Sequence, residues 1–411
     1  MILDSMDWSA LPIKRIAIVS SLILLIGGVF FALWAVNLTP VSPPEDPSGL
    51  NPPVRSGSQS VGGLGNGTAP GSDNTITAPI TPEPLPATRP VEDVILSDYV
   101  INLASHPNGG VVAFNPMTST FIQVNARGTV TNMSEERFID VRGVTWSHDR
   151  TVAVIEDANG KNVYNFNTKE RIALPNNWEE FSFSPDNNSI AFKNLGRINN
   201  TKYLATSNLK TGKITLVAPL GTEENRVHVD WAPTNTSVGF TTIPIDGQTQ
   251  ELSFIAPDGS FASSTTIEGA FFQSRWADTG KLFIFSTNDI DNNLKPRLWV
   301  GLGDGQYRGA YQELSLTTTA QQCSFGGKNA QLLVCAVPDR SSTANYGILG
   351  QIPNVPHSIV MLDLATGIPK TLYTPETNST LKNPVVDKGG KKIYFTNVTS
   401  GQLESISLPQ K

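Results

Sequence analysis

The sequence is poor in cysteine and has no cluster of basic residues. Its 411 residues include only two cysteines, Cys323 and Cys335, which excludes a disulfide-rich scaffold and a zinc site built from cysteines. The formal net charge is −6, and no group of Lys and Arg is present to displace the counterions of a nucleic acid. We therefore predict neither a nucleic-acid partner nor a cysteine-bound metal.

Catalytic motifs are also lacking. The chain contains no Gly-x-Ser-x-Gly elbow, no His-Glu-x-x-His helix and no Gly-rich phosphate loop. Residues 288–293, NDIDNN, are similar to the start of a calcium loop, but Leu294 replaces the expected glycine and Val300 the distant glutamate. We therefore predict that the protein is not an enzyme and that it has no metal site and no cofactor.

The longest apolar run lies near the N-terminus. Residues 16–38 read IAIVSSLILLIGGVFFALWAVNL, 23 residues without a charge, and such a helix crosses a hydrocarbon layer of about 30 Å. Lys14 and Arg15 precede the run and the next basic residue is Arg55, so residues 1–15 should be cytoplasmic and the rest extracytoplasmic. We predict a single-pass anchor in the cell membrane, with a cleaved signal peptide as the alternative.

The composition changes after this run. Between Pro40 and Pro90 the chain has 12 prolines and 7 glycines in 51 residues and no aromatic residue. Such a segment has too little apolar surface to offset the entropy lost on ordering it. We therefore predict that residues 39–93 are a disordered tether that holds a folded domain, residues 94–411, away from the bilayer.

The predicted domain contains a repeated pattern. Three segments align without gaps: SFSPDNNSIAFKN at 182–194, DWAPTNTSVGFTT at 230–242 and RWADTGKLFIFST at 275–287. Each has an aromatic residue, a polar turn and an alternating strand that ends near a phenylalanine. Four less regular copies bring the total to seven, with anchors near Ser105, Trp146, Phe183, Trp231, Trp276, Cys323 and Val386.

The repeat predicts the fold. Its anchors are 37 to 63 residues apart, near the length of a four-stranded propeller blade, and a ring of such blades buries both faces of every sheet. We predict an all-β, seven-bladed β-propeller, with six or eight blades as alternatives because two copies are degenerate. The last copy is one strand short, so a strand near Val94 to Leu96 should complete it and close the ring.

The repeat resembles the TolB-type, WD-like propeller repeat, whose pattern is aromatic-Ser-Pro-Asp-Gly-Lys-x-apolar-Ala-Phe. Residues 183–186, FSPD, and 190–192, IAF, match this pattern best. The resemblance covers about residues 94–411 and implies a β-propeller. It implies no single function, because similar repeats occur in periplasmic scaffolds, in surface proteins and in the propeller domains of peptidases.

Candidate binding residues lie in the loops that should share one rim of the propeller, those joining the second strand of a blade to the third and those joining one blade to the next. They are Trp178, Glu179, Glu180, Glu223, Glu224, Arg226, Phe271, Phe272, Asp289, Asp291, Arg297, Asp339 and Arg340. Ordinary solvated loop charge is the alternative interpretation. Cys323 and Cys335 lie on the two arms of one predicted hairpin, either as a cross-strand disulfide or as two buried thiols.

These features predict a membrane-anchored, extracytoplasmic propeller that acts as a protein-binding or scaffolding module. Its expected partner is a protein of the cell envelope or cell surface. The alternative is a carbohydrate-binding protein or carbohydrate-active enzyme that uses acidic rim residues on a cell-wall glycan. Acidic residues with raised pKa values facing the central channel would favour the enzyme, whereas a broad mixed patch on the rim would favour the scaffold.

Overall fold

The fold is seen in a computed structural model, and its strands begin at Glu92, two residues inside the predicted tether. The residues that it describes are 92–198, 201–304, 308–327, 330–339 and 355–408. None of the helices among them has the length and hydropathy that a membrane crossing requires. The predicted membrane helix at residues 16–38 lies outside the described residues, as does nearly all of the predicted tether.

The described residues form seven four-stranded antiparallel sheets, which confirms the predicted seven-bladed propeller. Blade 1 comprises β2 Ile101–Ser105, β3 Val111–Asn115, β4 Thr120–Val124 and β5 Val130–Asn132, and blade 2 comprises β6 Gly143–Trp146, β7 Val152–Asp157, β8 Gly160–Asn165 and β9 Arg171–Leu174. Blade 3 comprises β10 Trp178–Phe183, β11 Ser189–Leu195, β12 Lys202–Asn208 and β13 Ile214–Pro219, and blade 4 comprises β14 Val227–Val229, β15 Gly239–Pro244, β16 Thr249–Ile255 and β17 Phe261–Glu268.

The remaining blades follow the same order, from the innermost strand to the outermost. Blade 5 comprises β18 Ala270–Trp276, β19 Leu282–Asp289, β20 Lys295–Leu302 and β21 Tyr311–Glu313. Blade 6 comprises β22 Cys323–Gly326, β23 Leu332–Pro338, β24 His357–Asp363 and β25 Ile368–Tyr373. Blade 7 comprises β26 Leu381–Val386, β27 Lys392–Asn397 and β28 Gln402–Ser407, with β1 Glu92–Leu96 as its outermost strand. Two short 3₁₀ turns also occur among the described residues, Glu224–Arg226 and Ala320–Gln322.

The polar turn of the repeat is built by its own side chains. In blade 3, Ser184 Oγ donates a hydrogen bond to the Asp186 carboxylate at 2.6 Å, and the backbone N–H of Asn188 donates to the same oxygen at 3.1 Å. These hydrogen bonds lower the pKa of Asp186 to about 2. Asn187 has a φ of 57°, in the left-handed region that asparagine tolerates. The Ser-Pro-Asp-Asn sequence thus reverses the chain within four residues.

The aromatic residue of the repeat packs between blades, as predicted. Trp276 of blade 5 stacks on Phe240 of blade 4, with ring centroids 5.7 Å apart. Trp276 Nε1 also donates to the carbonyl oxygen of Asp230 at 3.2 Å, and Trp146 Nε1 donates to that of Asn102 at 2.9 Å. Each indole therefore fills apolar space between two blades. It also satisfies a backbone carbonyl group in, or directly after, the innermost strand of the preceding blade.

The ring is closed by strands from both ends of the domain, which confirms the predicted closure. β1 pairs with β28 in antiparallel register, with Asp93 opposite Ser405 and Val94 opposite Glu404. Tyr394 of blade 7 packs in one buried cluster with residues of blade 1. The earliest described strand thus supplies the outermost strand of blade 7, so that both ends of the domain meet in one sheet.

The sixth copy of the repeat has a different alignment from the predicted one. In blade 5 the aromatic Trp276 pairs with Phe283, seven positions later, whereas in blade 6 Phe325 pairs with Leu333, eight positions later. The assignment of Cys323 to the aromatic position was wrong, because Phe325 occupies it and the turn that follows is one residue longer. Cys323 instead lies directly opposite Cys335.

A disulfide joins Cys323 of β22 to Cys335 of β23, and both residues are fully buried. Replacing both cysteines by alanine should lower the free energy of unfolding by about 3 kcal/mol, because the bridge restricts the unfolded chain over a sequence separation of 12 residues. Urea denaturation of the wild-type and variant proteins, with no added oxidant or reductant, measures the difference in the free energy of unfolding. Equal midpoints and slopes would show that the bridge does not stabilise the fold.

Candidate functional site

The antiparallel blades place two kinds of loop at each end of the ring. The loops between second and third strands and those between blades lie at one end, here called the upper face. The polar turns of the repeat lie at the other end, here called the lower face. The upper face thus carries the two kinds of loop in which the rim residues were predicted. Each candidate residue can therefore be assigned to an exposed loop, the core or the channel.

Two predicted rim residues belong to the core. Trp178 is 7% exposed and stacks on Phe192 with ring centroids 3.6 Å apart. Phe272 is 3% exposed and packs against Phe240 and Phe285. Both were expected in exposed loops, but both lie on innermost strands, where their rings face the neighbouring sheet. These two assignments are corrected: neither ring is presented to a ligand on the upper face.

Five of the charged candidates are held in ion pairs. The pairs are Glu180–Lys193 at 2.5 Å, Glu223–Arg226 at 2.7 Å, Glu224–Lys202 at 2.6 Å, and Arg297 with Glu268 at 2.5 Å and with Glu313 at 2.8 Å. Glu179 is exposed, and so is Asp339, whose backbone N–H donates to the carbonyl oxygen of Pro356. Arg340 lies outside the described residues. A carbohydrate-active site that used Glu180, Glu223 or Glu224 would therefore have to use a carboxylate that already has a cationic partner.

A bulge at the start of the inner strand sets the direction of Phe271. Equivalent bulges occur in four blades, at Asn102, Glu180, Phe271 and Asn383, each with a φ between 51° and 57°. The bulge leaves Phe271 37% exposed while Phe272 points inward. A bulky aromatic residue at positive φ is unusual, and such strain persists chiefly at functional positions.

Phe271 belongs to an exposed apolar group on the upper face of blades 4 and 5, here called the rim patch. Its members are Ile243, Ile245, Phe271 and Ile290. Ile245 and Ile290 lie in loops that touch, because the Gln248 side-chain amide donates to the Asp291 carboxylate, whereas Ile243 and Phe271 lie on β15 and β18. The Gly269 N–H, just before β18, donates to the Gln248 carbonyl oxygen at 2.7 Å. Gly269 permits this approach, because a Cβ there would lie 2.8 Å from the Asn288 carbonyl oxygen.

Carboxylates surround the rim patch. Asp246 follows Ile245 in the chain, and Asp289 and Asp291 flank Ile290. None of these three carboxylates forms an ion pair with any residue that the structure describes. The upper face of blades 4 and 5 is therefore a mixed apolar and acidic surface.

The central channel holds a second candidate site, a cavity of about 840 Å³ lined by residues of all seven innermost strands or the turns that follow them. Asp230 accepts a hydrogen bond from Ser274 Oγ at 2.5 Å, and Arg275 donates from Nη1 to the Cys323 carbonyl oxygen at 2.6 Å. Burial raises the pKa of Asp230 to about 6, against the opposing effects of Ser274 and Arg275.

His228 lies two residues before Asp230 and also faces the channel. Burial, and then the charge of Lys193, lower its pKa to about 4, and its ring lies 5.3 Å from that of Phe272. The two groups therefore depart from their usual pKa values in opposite directions. Both favour their neutral forms, since the walls of the channel keep much of the water from them.

Charged side chains line the lower end of the channel. Arg150 donates from Nε to the Ser105 carbonyl oxygen at 2.9 Å, and Lys388 forms an ion pair with Asp278 at 2.7 Å. Burial alone would raise the pKa of Asp278, but the hydrogen bond and charge of Lys388, with Arg150 and His148, lower it. The pKa of Asp230 is thus raised, whereas that of Asp278 is lowered.

Sequence reasoning missed these channel residues. Asp230 and Arg275 stand immediately before the aromatic residues Trp231 and Trp276 in two aligned copies of the repeat. Because side chains alternate along a strand, the residue before a packed aromatic lies on the opposite face of its blade, where Asp230 and Arg275 contact the next blade and also border the channel. The signal was therefore present in the aligned copies of the repeat.

Comparisons with known proteins support the fold. No family model matches the chain and no curated protein matches it, so the likeness to the TolB-type repeat stays a likeness of the repeat. Among solved structures, the β-propeller domain of Cps50 (Swd1) from Myceliophteria thermophila is 9% identical with a TM-score of 0.53, covering 78% of this chain and 100% of that one. The fold is that of a β-propeller.

Two further structures match over similar lengths. A chain of the mitotic checkpoint complex is 12% identical with a TM-score of 0.50, covering 80% of this chain and 98% of that one. An oligogalacturonate lyase in complex with manganese is 12% identical with a TM-score of 0.45, covering 78% of this chain and 98% of that one. At these identities the likeness is one of fold alone, and propellers serve many functions.

Proposed function

We propose that the propeller is a protein-binding or scaffolding module whose partner docks on the upper face of blades 4 and 5. The rim patch is the observation that carries this proposal. Its four apolar side chains are exposed at the upper ends of blades 4 and 5, whose loops are joined by the Gln248–Asp291 hydrogen bond. Exposed apolar groups rimmed by polar residues are typical of interaction sites. Aromatic residues such as Phe271 are frequent anchors of interfaces.

We further propose that the module is extracytoplasmic and membrane-anchored, with a partner in the cell envelope or at the cell surface. The uncharged run at residues 16–38, preceded by Lys14 and Arg15, supports an anchor with a cytoplasmic N-terminus. The disulfide between Cys323 and Cys335 supports an oxidising compartment for the propeller. The TolB-type repeat agrees with such a place, since periplasmic scaffolds carry similar repeats.

Site-specific crosslinking in living cells tests the docking surface. A photoreactive amino acid placed at Ile245 or Ile290 of the full chain should give one discrete adduct with another protein on illumination, because both side chains would lie inside the interface. The matched control is Ile368, which is 67% exposed but lies on the outermost strand of blade 6. Adducts are detected by immunoblot and identified by mass spectrometry.

The pattern of adducts decides the proposal. An adduct at 245 and 290 that is missing at 368 supports docking on the rim patch. No adduct at either rim position, or the same set of adducts at all three, contradicts it. The control also guards against random collisions, since Ile368 offers the reagent at least as much exposed surface as the rim residues do.

A carbohydrate-binding or carbohydrate-active function is the second candidate, and the channel favours it. Asp230 offers an acceptor and Arg275 a donor to sugar hydroxyl groups in a cavity of about 840 Å³. Soluble cell-wall glycan fragments should then raise the thermal midpoint of the protein, and Asp230→Asn should reduce that rise. An unchanged midpoint in the wild-type protein would weigh against this candidate.

A further inference from the structure

Negative charge is concentrated on the upper face of blades 4 and 5. The loops and strand ends there carry six acidic side chains and two basic ones, namely Asp246, Glu251, Glu268, Asp289, Asp291 and Glu313 with Lys295 and Arg297. The loop that enters blade 4 adds Glu223 and Glu224, which are paired with Arg226 and Lys202. Acidic side chains therefore outnumber basic ones on the face that carries the rim patch. The loop that enters blade 4 does not offset this excess, because its Arg226 is paired with Glu223.

The few cations on this face do not neutralise the carboxylates beside the patch. Arg297 is held between Glu268 and Glu313, with both of its terminal nitrogens engaged. Lys295 is opposite Asp289 in the strand register but forms no ion pair with it. In the part of the chain that the structure describes, Asp246, Asp289 and Asp291 thus present negative charge to solvent next to Ile245 and Ile290.

These three carboxylates are held in place by the protein. Asp246 accepts hydrogen bonds from the backbone N–H groups of Gln248 at 2.8 Å and Thr249 at 2.6 Å. Asp289 accepts one from the N–H of Asp291 at 3.2 Å, and the Asp291 carboxylate is bonded to the Gln248 side chain. Charges that are already fixed lose little entropy when a partner binds, so they can contribute to affinity and to partner choice.

We propose that the partner docks through a short segment that is both apolar and basic. Its apolar side chains would pack on Ile245, Phe271 and Ile290, and its Lys or Arg residues would lie beside Asp246, Asp289 and Asp291. This inference rests on the proposed function, that a protein docks on the rim patch. A segment with acidic flanks is disfavoured, because docking it would bring like charges together next to a desolvated apolar surface.

The test removes the charges and keeps the geometry. In the full chain with the photoreactive residue at position 290, Asp246→Asn, Asp289→Asn and Asp291→Asn are combined, since an amide oxygen can accept the same hydrogen bonds as the carboxylate. The adduct yield should fall about tenfold. Raising the ionic strength of isolated membranes should lower the wild-type yield and leave that of the triple variant nearly unchanged.

The matched control is Asp258→Asn on the lower face of blade 4. Its carboxylate accepts the N–H of Ser260 at 2.9 Å, in a turn like that of Asp246, but it lies far along the strands from the rim patch. This variant should give the wild-type yield. Thermal midpoints of all variants, measured without partner, show whether any of them has lost the fold.

Three outcomes separate the inference from the proposed function. A yield that falls only in the triple variant, with a crosslinked peptide that has Lys or Arg within a few residues of the attachment point, supports the inference. An adduct of unchanged yield, or a peptide with acidic or uncharged flanks, overturns the inference and leaves the docking surface intact. No adduct from the wild-type chain at position 245 or 290 overturns both.

Discussion

Replacing Phe272 by alanine should lower the free energy of unfolding by about 3 to 5 kcal/mol, whereas replacing its neighbour Phe271 by asparagine should change it by less than about 1 kcal/mol. Phe272 is 3% exposed and packs on Phe240 and Phe285, so its loss leaves a cavity between blades 4 and 5. Urea denaturation followed by tryptophan fluorescence measures both changes.

The small effect at Phe271 comes from two contributions of opposite sign. Asparagine loses the apolar area that Phe271 partly buries, but it relieves a bulky side chain of a φ of 57°. Asparagine already occupies the equivalent bulges at Asn102 and Asn383. The change therefore keeps the bulge and removes the exposed ring.

Binding should respond in the opposite order. If Phe271 anchors a partner, Phe271→Asn should abolish the adduct formed from position 290 although the protein stays folded. A large loss of stability in Phe271→Asn would show that the ring is structural. An unchanged adduct in a stable Phe271→Asn protein would remove Phe271 from the docking surface.

Replacing His228 and Asp230 one at a time should give stability profiles of opposite slope between about pH 4 and pH 6. The pKa of Asp230 is raised on folding, so its stabilising contribution is present below its unfolded pKa and is lost as the pH rises through about 6. The pKa of His228 is lowered, so its contribution is present above its unfolded pKa and is lost as the pH falls through about 4.

In the wild-type protein the contributions of these two groups to the pH dependence of stability oppose each other. Asp230→Asn removes the cost of the buried charge, so this variant should be about 2 kcal/mol more stable than wild type at pH 7 and should lose that advantage toward pH 4. His228→Gln should match the wild type at pH 7 and exceed it by about 2 kcal/mol near pH 4.

Urea denaturation at half-unit steps from pH 4 to pH 7.5 measures both profiles. Differences between each variant and the wild type isolate these two groups from the other carboxylates that titrate in the same range. Parallel profiles for all three proteins would show that water reaches the channel freely and that neither group is desolvated. A destabilised Asp230→Asn at pH 7 would instead show that the charge is compensated in the folded state.

The number of blades and the closing strand could be predicted because they follow from local signals and from a count of the strands. Each copy of the repeat carries its own turn, as Ser184, Asp186 and Asn187 do in blade 3, and four of the seven anchors are aromatic. The last copy lacked one strand, and β1 supplies it. The turns and aromatics depend on neighbours within about a dozen residues, so one sequence suffices to recognise them. The closing strand was predicted by counting strands, because its partner β28 lies at the other end of the domain.

The membership of the rim could be predicted only in part. The exposed Phe271 and the loop carboxylates Asp289 and Asp291 were identified, but Trp178 and Phe272 turned out to be buried. A bulge shifts the alternation of the inner strand by one residue, and nothing in a stretch such as Ala270-Phe271-Phe272 marks which ring will be the exposed one.

The sequence alone determined that this protein is a ring of similar blades, seven by count with six or eight as alternatives, because the same short pattern of turn and alternating strand recurs and each copy must bury the same face. Only the tertiary structure decided which side chains meet. Gln248 reaches Asp291, and Asp230 meets Ser274, across separations of more than 40 residues. Such contacts depend on how neighbouring blades stack, and the stacking is fixed by the packing of whole sheets, which no local pattern records.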